Sequence, residues 1–287
     1  MKFDKFSLST SDVPIKLRNI PQPPKQLFVM GNNVNELLKR PCVTVVGSRK
    51  VSAYGKAVTT ELAGELAKAG VVIISGLAIG VDSLAHKAAL DAGGLTIAVL
   101  PSGIDRIYPA NHRGLAMQIL QHGGAIISEY PDQELPHKYH FIERNRIASG
   151  LGDALLVTEA AEKSGTLHTA NFALEQGKPV LAVPGNITSP TSVGTNNLIK
   201  TGAFPVTNVL DVFHALGVDI SEKKRELPRS SNPNEQILLD LLFSGIDDGT
   251  DLLEQSQLEV SLFNQTITML EIRGLIRPLG NNRWGIW

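Results

Sequence analysis

Between Cys42 and Val206, short β-branched runs alternate with longer segments of helical period. Cys42–Val46, Val71–Ile74, Leu95–Leu100, Ala125–Ile127, Ala154–Val157 and Pro179–Val183 read as strands. Helices are expected from about Ala53 to Ala69, Val81 to Asp91, Arg113 to Gln121, Thr166 to Gln176 and Thr195 to Lys200, with a long polar loop after Ile127. Continuously apolar strands separated by helices specify a mainly parallel sheet, because a parallel crossover needs a helix and buries both faces of each strand. The pattern predicts a Rossmann-like, doubly wound α/β core over residues 41–220.

Residues 1–40 are expected to form an N-terminal extension, and residues 221–233, rich in charge, Pro and Ser, a linker. Residues 234–287 read as three short helices followed by a hairpin around Gly280-Asn281, a small winged-helix domain. The chain of 287 residues is long enough for both modules. Its net charge of −1 excludes a polycation that coats nucleic acid by bulk charge, but not a local basic groove. The single Cys42 forms no internal disulfide and reads as strand filler. No signal-like or membrane-length apolar run is present, so a cytoplasmic protein without membrane contact is expected.

Doubly wound sheets bind ligands beyond the carboxyl ends of their strands. The loops expected there include Gly47-Ser48-Arg49, Ser75-Gly76-Leu77-Ala78-Ile79-Gly80 and Ser164-Gly165-Thr166, the last with Lys163 beside it. A helix start offers free N–H groups to an anion, although Ser and Thr there also serve as ordinary caps. Two such loops, each beside a cation, favour a polyanion. Gly47-Ser-Arg-Lys-Val-Ser52 lacks the glycines of a dinucleotide fingerprint, and Gly55-Lys56-Ala57 fails as a Walker loop. The segment around Gly76 reads instead as a tight turn that lets a backbone come close.

The stretch His137–Ile147 combines Lys138, Arg144 and Arg146 with Tyr139, Phe141 and Asn145. Arg forks suit phosphate oxygens and an aromatic ring accepts any base, which is the composition of a single-strand binding platform. The bland alternative is a helix start whose arginines pair with Glu143, Glu159 or Glu162. His137, His140 and Glu143 have a metal-like spacing without a further strong ligand. No nucleophile elbow or Ser-His-Asp order is visible, so neither an enzyme nor a cofactor is expected.

As a set, Val46-Gly-Ser-Arg49, Ser75-Gly-Leu-Ala-Ile-Gly-Val-Asp-Ser-Leu-Ala-His86, Tyr108-Pro-Ala-Asn111, Ser128-Glu-Tyr-Pro131, Arg144-Asn-Arg-Ile147, Ser164-Gly-Thr166, Ala182-Val-Pro-Gly185 and Gly194-Thr-Asn-Asn-Leu-Ile199 resemble the DNA-processing protein A (DprA/Smf) family, over about Pro14 to Leu210. The resemblance implies an extended Rossmann-like domain that binds single-stranded DNA without base specificity, forms a homodimer and loads a RecA-type recombinase, protecting incoming DNA in natural transformation. It assigns phosphates to Ser48 and Arg49, the groove lining to Lys138, Arg144 and Arg146, a base contact to Phe141, a hydrogen bond to Asn145 and an anion site to Ser164–Thr166. Gly76 is counted with them as the point of close backbone approach. Ile142 departs from the family, which often has Pro there.

From Asn232 onward there are eight acidic residues and three Arg, a net of −5, leaving +4 before it. An acidic winged helix is a poor duplex binder, and protein contact is expected, with exposed Trp284 or Trp287 as anchors; the bland alternative is that both Trp side chains close its small core. The alternative function is a small-nucleotide sensor or a nucleoside-phosphate hydrolase, since the fold also resembles the lysine-decarboxylase-like nucleotide hydrolases. Their Pro-Gly-Gly is replaced here by Glu162-Lys163-Ser164.

Overall fold

The computed structural model describes residues 3–218, 230–280 and 282–286. The chain divides into two compact units, Met1–Asp219 and Ile220–Trp287.

Elements of the first unit follow in the order β1 (Lys5–Ser9), α1 (Ile15–Arg18), β2 (Gln26–Gly31), α2 (Val34–Leu37), β3 (Cys42–Gly47), α3 (Ala53–Lys68), β4 (Val72–Ser75), α4 (Val81–Asp91) and β5 (Thr96–Leu100). They continue with α5 (Arg113–Gln121), β6 (Ala125–Ser128), α6 (Lys138–Leu151), β7 (Ala154–Glu159), α7 (Thr166–Glu175), β8 (Val180–Ala182), α8 (Val193–Lys200), β9 (Phe204–Pro205) and α9 (Val209–Ala215). One nine-stranded sheet runs β1-β2-β6-β5-β4-β3-β7-β8-β9. From β6 to β9 every neighbouring pair is parallel. The expected Rossmann-like fold is therefore present. The chain winds outward from β3 to β6, then returns through α6 to place β7 on the other side of β3, which makes β3/β7 the topological switch point.

Alternation along the strands distributes the core between two faces. Val43, Val45 and Ile73 pack with α3, α4 and α9, while Cys42, Val72 and Ile74 pack with α1 and the inner half of α6. Cys42 is buried filler as expected, and burial pushes its thiol up to about 12.

Two expectations are corrected. Residues 1–40 are no appendage, because β1 pairs with β2 and β2 pairs with β6, both antiparallel, extending the sheet. Leu27 and Val29 of β2 are fully buried among Val99 and Ile127. The polar loop after β6 is short, because α6 begins at Lys138. Its inward stripe, His140, Arg144, Ile147 and Leu151, has helical spacing but is polar in its first half, so apolar periodicity alone does not reveal it.

In the second unit, α10 (Pro233–Phe243), α11 (Gly249–Ser256) and α12 (Val260–Ile272) precede the antiparallel hairpin of β10 (Ile276–Gly280) and β11 (Arg283–Ile286). Leu238, Leu252, Phe263, Ile267 and Leu270 form its core, with Trp284 against it. The Trp284 Nε1–H donates to Glu271 Oε1 at 2.6 Å, so this side chain closes the core rather than standing out as an anchor. Trp287, and residues 221–229 of the expected linker, lie outside the described residues. No helix among the described residues is long and apolar enough to cross a membrane.

Integration of the N-terminal segment has a measurable consequence. Leu27→Ala should lower unfolding stability in urea by about 2–5 kcal/mol, the cost of a core Leu truncation, whereas a detached extension would give no change.

Candidate nucleic-acid interface

The strand-end loops on either side of the switch point are tied to one another through their backbones. Ser48 N–H donates to the Glu159 carbonyl at the end of β7 (2.8 Å), and Val81 N–H donates to the Ser48 carbonyl (3.1 Å). Gly80, at φ +88°, lets this happen: a Cβ there would lie 2.2 Å from the Ser48 oxygen. Glu159 is buried, and its carboxylate accepts from Ser52 N–H (3.1 Å) and from the Ser52 hydroxyl at the start of α3. Both the backbone and the side chain of Glu159 thus clip the loop that carries Ser48 and Arg49.

The next loop is held from within. Gly76 N–H donates to Asp82 Oδ2 (3.1 Å), and its carbonyl accepts from the buried Arg144 guanidinium, which also donates to the Val99 carbonyl. A Cβ on Gly76 would lie 2.1 Å from Arg144 Nη1, so only glycine admits the guanidinium here. Burial pushes the Asp82 carboxyl up and the Arg144 guanidinium down, and each charge opposes the other's shift. His86, fully buried with Nδ1 2.6 Å from Thr96 Oγ1, is pushed down to about 3, chiefly by burial and then by Arg144.

Helical geometry divides the predicted platform. Lys138, Phe141 and Asn145 share the outward face of α6, Lys138 being exposed and the other two half-buried. Arg144 and Arg146 do not join them, with exposures of 5% and 8%. This corrects their expected place along the groove. Arg144 is a strut beneath Gly76, and Arg146 pairs with Glu129 at 2.6 Å. Gly76 is itself buried, so its role is to accommodate Arg144. Glu143 and Glu159, offered as arginine partners, instead accept from Tyr130 Oη (2.6 Å) and Ser52.

Arg49 is exposed and stands over the Phe141 ring, Cζ 5.3 Å from its centroid. Tyr108 meets the same ring edge-on at 5.5 Å and is 44% exposed. Among the described residues, neither Arg49 nor Lys138 forms an ion pair with a carboxylate. At the start of α7, Ser164 Oγ donates to Thr166 Oγ1 (2.9 Å) and accepts from Thr166 N–H (3.3 Å); Gly165 is exposed and Thr166 buried. Ser164–Thr166 therefore follow β7 on the same sheet edge as Ser48 and Arg49, while the hydroxyls of Ser164 and Thr166 engage one another. His140 is buried with Nδ1 3.1 Å from the Pro101 carbonyl, so it and Glu143 have partners of their own. Sequence reasoning gave no role to Tyr108, to Asp82 or to the clip made by Glu159; the first and last depend on contacts between distant segments, while Asp82 binds within its own loop, to Gly76 and Ala78.

Fold and edge together define a Rossmann-like protein whose strand-end loops present free cations and an aromatic ring at the switch point. The family model described as DNA recombination-mediator protein A matches residues 6–217, and the chain belongs to this family, that of DprA and Smf. It is 41% identical over 209 residues to the DNA processing protein DprA of Bacillus subtilis, covering 73% of this chain and 70% of that protein. It is 48% identical over 174 residues to the protein Smf of Escherichia coli, covering 61% of this chain and 46% of the relative, so it matches under half of that longer protein. Among solved structures, DprA from Streptococcus pneumoniae superposes with a TM-score of 0.68 at 42% identity, over 75% of this chain and 74% of the other. A structure of DprA from Helicobacter pylori, described by its single-stranded DNA binding mode, gives 0.68 at 35% identity, over 76% and 99%.

The buried network and the exposed cations should separate cleanly on mutation. Arg144→Ala should cost about 3–5 kcal/mol in urea unfolding, because it strips the buried Gly76 and Val99 carbonyls of their donor and removes the main positive charge that offsets buried Asp82. Arg49→Ala should cost about 1 kcal/mol or less. His86 adds a pH signature. With its folded pKa held at about 3, below the ordinary value of 6.5, it stabilises the fold above pH 6.5, and that contribution drains away as pH falls from 6.5 toward 3. Between pH 7 and pH 5 the loss should be about 2 kcal/mol, and His86→Asn should remove that slope in unfolding titrations.

Proposed function

We propose that this protein binds single-stranded DNA without base preference along the carboxyl edge of its sheet. Arg49 and Lys138 hold phosphates, Phe141 stacks against a base, Ser48 and Asn145 add hydrogen bonds, and the start of α7 at Ser164–Thr166 receives a further phosphate. Arg144, Arg146 and Gly76 act beneath this surface as positioning residues. The observation that carries the reading is the unpaired Arg49 guanidinium over the Phe141 ring, with Lys138 one turn away on the same helix face. A cation beside a base-sized aromatic face is what a sequence-tolerant single-strand site requires. The relative from Helicobacter pylori, whose structure is described by single-stranded DNA binding, supports it.

The same reading makes the protein a recombination mediator rather than an enzyme, acting as a cytoplasmic homodimer that delivers strands to a RecA-type recombinase during natural transformation. The C-terminal unit, read as a winged helix, serves protein contact. Its balance from Asn232 onward is −5, and Arg273, which follows α12, is paired with Glu235 at 2.8 Å. Neither feature suits a duplex-binding helix.

Fluorescence anisotropy with labelled oligo-dT and a matched duplex tests the proposal. Single strand should bind far more tightly, with an affinity that falls as salt rises. The Arg49→Ala/Lys138→Ala double variant should lower the salt slope by about 1.4, or about 0.7 for each phosphate no longer neutralised. Phe141→Ala should cost about 1–3 kcal/mol. Unchanged affinity in the double variant overturns the assignment, and thermal stabilisation by mononucleotides but not by oligo-dT would support the small-nucleotide alternative.

A further inference from the structure

Beyond Arg49, the chain passes through Ser52 into α3 and forms one wall of a cleft of about 480 Å3. The opposite wall is the loop after β8, from Pro184 to Ser192. This cleft lies on the same sheet edge as Arg49, toward β8 and so on the side of β3 away from β4 and β5, whose ends Arg144 and His140 of α6 touch.

Its chemistry differs from that of the Arg49 surface. Every residue lining it is uncharged. Tyr54 supplies a ring that is 49% exposed, and its hydroxyl donates to the Pro184 carbonyl (2.8 Å), which fixes the ring's position before any ligand arrives. Asn186, Ser189 and Thr191 place polar groups in the opposite wall. Asn186 Oδ1 is occupied by Thr188 N–H (3.0 Å) and the Thr188 hydroxyl (2.9 Å), which leaves its amide N–H groups to donate outward. At the floor, Gly185 is packed so closely that a Cβ would lie 2.1 Å from Ser192 Oγ. A fixed aromatic face opposite hydrogen-bonding groups, with no charge, suits a flat, neutral, heteroatom-rich group rather than a phosphate.

Three residues of chain span at most about 10 Å, so the mouth at Ser52 is within reach of the strand whose phosphate Arg49 holds. We propose that the cleft is a second base-binding subsite, which takes one nucleobase of that strand against Tyr54. The inference rests on the single-strand reading above and extends it across the switch point, so that the strand is gripped on both sides of β3.

The test uses the full chain, with oligo-dT of increasing length and one 5-iodouracil placed at successive positions. Tyr54→Ala should weaken binding of oligonucleotides long enough to reach both subsites by at least about five-fold, and leave the shortest that still bind unaffected. Tyr54→Phe, which keeps the ring, should stay within about two-fold of the parent. Irradiation of the parent protein should cross-link one 5-iodouracil position to the peptide containing Tyr54, whatever the stability of the variants. Absence of that cross-link, or unchanged affinity of Tyr54→Ala for every length, overturns the subsite. If the Arg49→Ala/Lys138→Ala variant loses affinity while either of those results is found, the subsite alone fails. If that double variant also binds normally, the single-strand reading fails with it.

Discussion

The carboxyl edge of this sheet depends on one buried guanidinium. Arg144 lies beneath the β4–α4 loop and donates to the Gly76 and Val99 carbonyls, while Asp82 takes the Gly76 N–H from the other side. A buried charge is expensive unless it is paired and fully hydrogen-bonded, and truncating one partner exposes the whole cost. Here that cost fixes the geometry of three segments at once. The grip on Gly76 sets the path of the loop to Gly80, Gly80 abuts Ser48 and Arg49, and Arg144 reaches this position from the helix that carries Lys138 and Phe141. The stacking of Arg49 over Phe141 therefore joins two loops and a helix that a single interior residue has already aligned.

Burial also resolves an electrostatic problem. The chain as a whole carries −1, and carboxylates sit directly beneath the edge that is proposed to meet phosphates. Asp82 is 7% and Glu159 2% exposed; Asp82 Oδ2 accepts from the Gly76 and Ala78 N–H groups, and the Glu159 carboxylate from the backbone and hydroxyl of Ser52. Arg49 and Lys138 are exposed and form no ion pair among the described residues. Asp82, Glu159 and Arg144 hold the loops from within while Arg49 and Lys138 face outward, so the local field at the edge is set by which charges are solvent-facing rather than by the net count.

Much of this was legible in the sequence because it depends on local period. Continuous apolar strands and intervening helices identify the parallel sheet and its order of elements, and α3, α4 and α5 fall within a residue of their expected ends. Three features were not legible, each for a physical reason. β1 does alternate, with Phe6 and Leu8 between Lys5, Ser7 and Ser9, but it is five residues long with a single buried side chain, and its pairing partners lie about twenty residues on in β2. In α6 the inward stripe begins with His140 and Arg144, so an apolar template sees a loop and groups all three cations together. Once the segment is helical, a 100° turn per residue separates Lys138 from Arg144. The pairing of Gly76 with Arg144 spans 68 positions, and no local pattern announces it.

The same geometry bears on why such a site would be indifferent to sequence. Reading a base requires donors and acceptors aimed at its edge, whereas phosphates and base faces are common to every nucleotide. The outward face of α6 presents Lys138 and the Phe141 ring, the loop after β3 presents Arg49 and Lys50, and Tyr108 from the segment after β5 meets the Phe141 ring. Asn145 is the side chain on this face best suited to read a base edge, and its Oδ1 already accepts from Arg144 Nε at 3.2 Å. That bond removes the acceptor half of a bidentate amide contact and leaves only the amide donor. The strut that aligns the edge thus also occupies the acceptor of Asn145, so the residue that shapes the proposed site would also weaken its means of reading a base.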